Sequence, residues 1–175
     1  QRNLYAVTKK TNELMADCYS RLYGMRLTGL RFFSVYGPWG RPDMAPMIFA
    51  KAICSGEPLM VFNNGNMQRD FTYIDDVVES IFRILTYTHH PYSRLHNIYN
   101  VGCSQPVNLL AFIAELERTF GRTAQKQLLP MQPGDVPATS ADASALEHDY
   151  GYRPQTQLSA GVLKFVEWYK SYFNI

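Results

Sequence analysis

The stretch Y-A-V-T-K at residues 5–9 decides how the rest of this chain is read. Tyr5 and Lys9 stand four residues apart, one helical turn, so both side chains leave the same helix face. A phenol beside an ammonium is an acid–base device, because a nearby positive charge favours the phenolate. Such a phenol can take a proton from a substrate hydroxyl and return it. Downstream, Leu14, Met15, Cys18, Tyr19 and Leu22 recur at helical spacing and Gly24 supplies a stop, which predicts a helix over 5–23. A catalytic pair so close to residue 1 leads us to expect the back part of a longer protein.

A chain of 175 residues can close one domain around a real core. Hydrophobic residues make up 46% and charged residues 18%, the balance of a soluble globular protein. A net charge of +2 with no basic block argues against a nucleic-acid partner. No apolar run of roughly 18 residues exists, so no membrane partner is expected. No charged-then-apolar leader follows Gln1. Cys18, Cys54 and Cys103 are odd in number and widely spaced. They fit reduced thiols in a cytoplasmic protein better than a disulfide frame or a metal site.

Working along the chain, 26–33 suits a strand weakened by Gly29. The run S-V-Y-G-P-W-G-R-P at 34–42 predicts a rigid loop without regular structure. A helix is predicted over 46–55, ended by Gly56. Asn64-Gly65 signals a hairpin whose second strand runs through 70–74. Asp75 or Asp76 then caps a helix to about residue 86. His89, His90 and Pro91 read as a polar loop. A strand is expected at 97–101, a helix at 108–120 capped by Asn108, an extended piece at 126–130, and helices at 142–149 and 158–173. There is no internal repeat. The alternation is mixed α/β but lacks the regular βαβ series of a complete dinucleotide domain.

Y-A-V-T-K (5–9), R-F-F-S-V-Y-G-P (31–38), R-D-F-T-Y-I-D-D-V (69–77), N-V-G (100–102) and P-G-D-V-P-A-T (133–139) occur in one order. That order resembles the extended short-chain dehydrogenases/reductases that act on nucleotide sugars, the NAD-dependent epimerase/dehydratase family. The segment G-P-W-G-R-P-D-M-A (37–45) resembles its UDP-glucuronate 4-epimerase branch. The resemblance implies the C-terminal portion of a Rossmann-type fold with a smaller mixed α/β lobe for the UDP-sugar. Residues 1–45 would end the dinucleotide-binding domain, and 46–175 would mainly build the sugar lobe. It implies NAD as cofactor, with an incomplete site: the glycine-rich phosphate loop, the acidic ribose ligand and the catalytic Ser/Thr lie upstream in the family, and no G-x-x-G-x-x-G occurs here. The chain by itself is therefore expected to be inactive, and to self-associate, commonly as a dimer through the helix carrying Tyr5.

Residue by residue, the resemblance implies that Tyr5 is the acid/base at the sugar 4-hydroxyl. Lys9 matches the lysine that holds the nicotinamide ribose and favours the tyrosinate, and Phe32 and Val35 lie on the cofactor side. Arg41 matches the arginine near the hexuronate carboxylate, a partner that a guanidinium fork can hold with two parallel bonds. Ser34 stands where that branch commonly has Thr. Arg69 matches the arginine on the UDP diphosphate, Val61 and Phe62 the stretch that holds uracil, and Asp135 a ribose ligand. Gln132 stands where hexose 4-epimerases commonly carry Arg. Plainer roles stay open: Phe62 as a core aromatic, Asp135 as a turn residue, Arg69 as an edge charge. Trp39 either shapes the sugar pocket or braces its loop. Asp75-Asp76 lack a third ligand for a metal, and His96 and His148 lack a nucleophile for a hydrolase triad. Competing functions are a 4,6-dehydratase or decarboxylase of the same superfamily, and a non-catalytic nucleotide-sugar-binding or self-associating module.

Overall fold

Asn3 opens the first helix. Its backbone is extended (φ −150°, ψ 165°), and its side-chain oxygen accepts the Ala6 N–H at 2.8 Å, satisfying one orphan donor of the first turn. Helix α1 then spans Leu4–Tyr23 and ends on Gly24 in the left-handed region at φ 66°. The structure, a computed structural model, describes residues 3–87 and 94–175. The loop expected at His89, His90 and Pro91 lies outside the described residues.

Beyond α1 come β1 (Leu27–Phe32), β2 (Ser34–Tyr36), α2 (Ala45–Ser55), β3 (Leu59–Val61) and a 3-10 turn at Phe62–Gly65. Then follow β4 (Gln68–Arg69), β5 (Phe71–Tyr73), α3 (Ile74–Thr86), β6 (His96–Val101) and β7 (Val107–Asn108). The chain closes with α4 (Leu109–Phe120), β8 (Lys126–Leu128), α5 (Ser144–Tyr150) and α6 (Leu158–Phe173). Strands pair in twos. β1 runs parallel to β6, from Leu27 opposite His96 to Phe32 opposite Val101. β2 runs parallel to β5 and β3 parallel to β8, while β4 and β7 are antiparallel. Parallel partners need crossovers, and here helices lie between them in the chain. No helix among the described residues is long and apolar enough to cross a membrane.

Three expectations need correction. Ser34–Tyr36 is a strand, because its backbone groups pair with Phe71–Tyr73; the irregular loop begins only at Gly37. Asn64-Gly65 does not turn a hairpin. Asn63 and Asn64 both take left-handed backbone (φ 52° and 49°) in the 3-10 turn, and the strand before them pairs with β8 instead. Asp75 and Asp76 do not cap α3. Tyr73 is its N-cap, and both acids lie in the first turn.

The larger core gathers α2, α4 and α6 around β3 and β5, with Phe112, Phe165, Leu59 and Ile113 fully buried. Phe71 stacks on Phe112 at 4.0 Å between ring centroids. Gly161 lets α6 approach closely: a Cβ there would sit 2.1 Å from the Tyr36 hydroxyl. A smaller core joins α3, β6 and α5 through Val77, Ile84, Tyr99, Val101, Leu146 and Tyr150.

Helix α1 stands apart from both. Ser20 alone among its residues is buried, and Leu14, Met15, Tyr19 and Leu22 are exposed. The helical period holds, but the apolar stripe finds no cover among the described residues. What ties α1 to β1 is polar. Arg31 grips Glu13 with two bonds, Nε to Oε1 at 2.6 Å and Nη2 to Oε2 at 2.8 Å, and Lys10 adds a third at 2.9 Å. The Arg31 fork holds the Glu13 carboxyl down at about 2, against its ordinary 4.5. A depressed carboxyl stabilises the fold above its unfolded value and loses that contribution as pH falls through the folded one. The melting-temperature gap between wild type and Glu13→Gln should therefore be widest above about pH 4.5 and close toward pH 2. Because Arg31 is half-exposed, the gap corresponds to about 1 kcal/mol at most.

Candidate active site

Segments far apart in sequence meet around the first turn of α1. Asn3, which starts the helix, also donates its Nδ2 to the Gly134 carbonyl at 3.2 Å. The adjacent Asp135 accepts Nη2 of Arg69 at 2.9 Å and the Val136 N–H at 2.7 Å. Arg69 also donates Nη1 to the Gln68 carbonyl at 2.9 Å. Backbone bonds of Gln68 to Pro137 (2.8 Å) and of Thr139 to Gln68 (3.1 Å) zip β4 to the segment after Asp135. The helix carrying Tyr5, the P-G-D turn and Arg69 thus form one linked array.

Tyr5 is 70% exposed, and Lys9 holds its ammonium 5.4 Å from the Tyr5 ring centroid. Arg41 sits in the turn between β2 and α2. Its fork takes Asp43 with two bonds, Nε to Oδ1 at 3.1 Å and Nη2 to Oδ2 at 2.5 Å. That contact raises the Arg41 pKa and lowers the Asp43 carboxyl below the usual carboxylate range. The turn departs from β2 at Gly37 (φ 142°), where a Cβ would lie 2.4 Å from Ile74 Cγ2, so no other residue fits.

The remaining candidates divide. Ser34 is half-buried at the start of β2, and its N–H bonds the Asp70 carbonyl at 3.0 Å, beside Arg69. Phe32 ends β1 with its ring half exposed. Val35 packs against the smaller core. Val61 is fully buried and its carbonyl is taken by the Leu129 N–H at 2.9 Å, so its side chain belongs to the core. Phe62 is partly buried against the larger core, as the plainer reading allowed. Tyr36, a buried phenol held well above its ordinary range by desolvation, is no acid–base candidate. Two surface cavities, about 370 and 390 Å³, lie along β6 and the start of β1 and touch none of these residues. In open α/β sheets ligands collect beyond the carboxyl ends of strands, which here means the turn after β2.

Sequence reasoning missed the residues that hold this array. Asp70 is fully buried, and its carboxylate accepts the N–H groups of Cys103 (3.0 Å), Ser104 (2.9 Å) and Ala141 (2.8 Å). Gly102 makes room, since a Cβ there would lie 2.5 Å from that of Ala141. The R-D-F-T-Y, N-V-G and P-A-T stretches are therefore one knot around a carboxylate. Asp76 works likewise, accepting the Tyr152 hydroxyl (2.9 Å) and the N–H groups of Gln155 (3.2 Å) and Thr156 (2.8 Å). The sequence offered little signal for either acid, because Asp70 follows Arg69 and Asp76 follows Asp75, as exposed acids also would; only burial shows that they must find donors.

Known proteins resemble this chain in sequence and fold. The family model described as NAD dependent epimerase/dehydratase family matches residues 1–102. Protein CapI of Staphylococcus aureus is 46% identical over 98% of this chain and 55% of its own length. A probable UDP-glucuronate 4-epimerase of Rhizobium meliloti (strain 1021) is 45% identical over 95% of this chain and 53% of its own. The solved UDP-glucuronic acid 4-epimerase of Bacillus cereus, in complex with UDP-glucuronic acid and NAD, superposes with a TM-score of 0.89 at 32% identity. It covers 96% of this chain and 52% of that one. The chain spans about half the length of the curated relatives it matches. The motif order, the Rossmann-type α/β likeness and the matched family model lead to one assignment: this chain belongs to the NAD dependent epimerase/dehydratase family.

Proposed function

We propose that this chain is the sugar-binding part of a NAD-dependent 4-epimerase that converts UDP-glucuronate to UDP-galacturonate. The observation that carries the reading is the exposed Tyr5 phenol with the Lys9 ammonium beside its ring, on a helix whose cap is bonded to the turn that holds Asp135 against Arg69. Tyr5 takes the proton of the sugar 4-hydroxyl and later returns it. Arg69 holds the diphosphate and Asp135 the nucleotide ribose, with Phe62 against uracil. Asp43 occupies one edge of the Arg41 guanidinium, which leaves its remaining N–H groups for the hexuronate carboxylate. Ser34 adds a hydroxyl at the sugar.

The residues present fit part of a NAD seat. Lys9 is exposed one turn from Tyr5 and would hold the nicotinamide ribose, and the half-exposed Phe32 borders the same side. NAD supplies the reversible hydride acceptance at carbon 4. The pyrophosphate would rest on the glycine-rich turn that the family carries upstream of Tyr5, so we expect residues 1–45 to complete a dinucleotide-binding domain and the isolated chain to be inactive. The uncovered face of α1 supports association with that domain and with a second copy.

The test is the full-length protein assayed on UDP-glucuronate. Arg41→Ala should lower kcat/KM about 100-fold, the loss of two charge-assisted bonds. Its melting temperature should stay near that of wild type, because Arg41 is exposed. A wild type that does not interconvert the two uronates, or an Arg41→Ala variant that loses stability in step with activity, would refute the reading.

A further inference from the structure

We infer that Trp39 is a positioning residue that latches the Arg41 turn to α6, an inference that rests on the role proposed for Arg41. Trp39 is 73% exposed, and its backbone is left-handed at φ 62°, a region that bulky residues rarely adopt. Its ring nevertheless meets two rings of the C-terminal helix: Tyr172 edge-on at 5.1 Å and Trp168 at 5.6 Å. These belong to a ladder. Trp168 stacks on Tyr172 at 5.3 Å and on the buried Phe165 at 6.0 Å, so the outer rings are seated on the larger core.

The local sequence does not need a tryptophan at this point; glycine or asparagine would take the conformation with less strain. The strain is held by the surroundings, as at sites where a constrained backbone serves a function. Two residues further on is Arg41, itself exposed, its guanidinium bonded to Asp43 from within the same turn. Among the described residues, these ring contacts join the segment between Gly37 and α2 to α6. Of the two roles left open for Trp39, the bracing one is the one that these contacts support. Substrate recognition then depends on α6, an element that carries none of the candidate site residues.

The experiment uses the full-length protein with Trp39→Gly and Trp39→Asn, which both accept the left-handed backbone and lack the ring, and Trp39→Tyr, which keeps a ring. Glycine and asparagine should speed amide hydrogen exchange over 37–45. They should raise KM for UDP-glucuronate about 10-fold with kcat within about 2-fold, and tyrosine should restore most of both. In an Arg41→Ala background, Trp39→Gly should add little, because the two act as one unit. Unchanged exchange in the glycine and asparagine variants overturns the latch, whatever the sugar. Faster exchange with unchanged KM, while Arg41→Ala still loses activity, overturns its link to Arg41. A wild type inactive on UDP-glucuronate defeats the proposed reaction instead, and the exchange data then decide the latch alone.

Discussion

Asp70→Ala is expected to destabilise the protein by about 3 kcal/mol or more, since each buried donor left unsatisfied costs about 1–3 kcal/mol. Three backbone N–H groups converge on that carboxylate, from Cys103, Ser104 and Ala141, and the site is closed to water. Alanine would remove every acceptor at once. Asp70→Asn keeps one oxygen and should fall between alanine and wild type. Urea unfolding should show the midpoint moved with the slope unchanged, as for a loss of stability without a change in the exposed surface. An alanine variant with the wild-type midpoint would mean that the donors find other partners and that the knot is not what joins these segments.

Tyr5→Phe should have the opposite profile. In the full-length protein, kcat on UDP-glucuronate should fall about 100- to 10,000-fold, the range of a lost general acid–base group. Stability should be unaffected, because the phenol is 70% exposed and no hydrogen bond to its oxygen is formed among the described residues. Substrate affinity, read by titration, should stay within about 3-fold, because the hydroxyl acts mainly in the chemical step. Turnover close to wild type in Tyr5→Phe would remove the proposed acid–base role, whatever Arg41 contributes.

Local signals carried the helices well. Gly24, Gly56, Gly121 and Gly151 each close a helix in left-handed backbone, and Asn108 caps α4 as its position implied. Long-range pairing was not legible. β3 looked ready to fold back at Asn64-Gly65, yet its partner Lys126–Leu128 lies beyond two further helices. Asp76 looked like a cap because capping is local, whereas its donors at 152–156 come from another part of the chain. In the candidate site, the motif order pointed to Tyr5, Arg41, Arg69 and Asp135, of which the structure joins Arg69 to Asp135. It was silent on Asn3 and Asp70, whose partners (Gly134, and Cys103, Ser104 and Ala141) come close only after folding, and on Asp43, which pairs with Arg41 inside one turn. Val61 shows the converse: a position inside a matched stretch whose side chain is taken by packing.

The meeting of Trp39 with Trp168 has a practical corollary. These are the two tryptophans of the chain, and their indoles lie 5.6 Å apart. Chromophores that close couple, so the pair should give an exciton couplet at the strong indole band in far-ultraviolet circular dichroism, lost in Trp39→Gly. The geometry of one short turn is thereby written into the intrinsic spectrum, readable without any label.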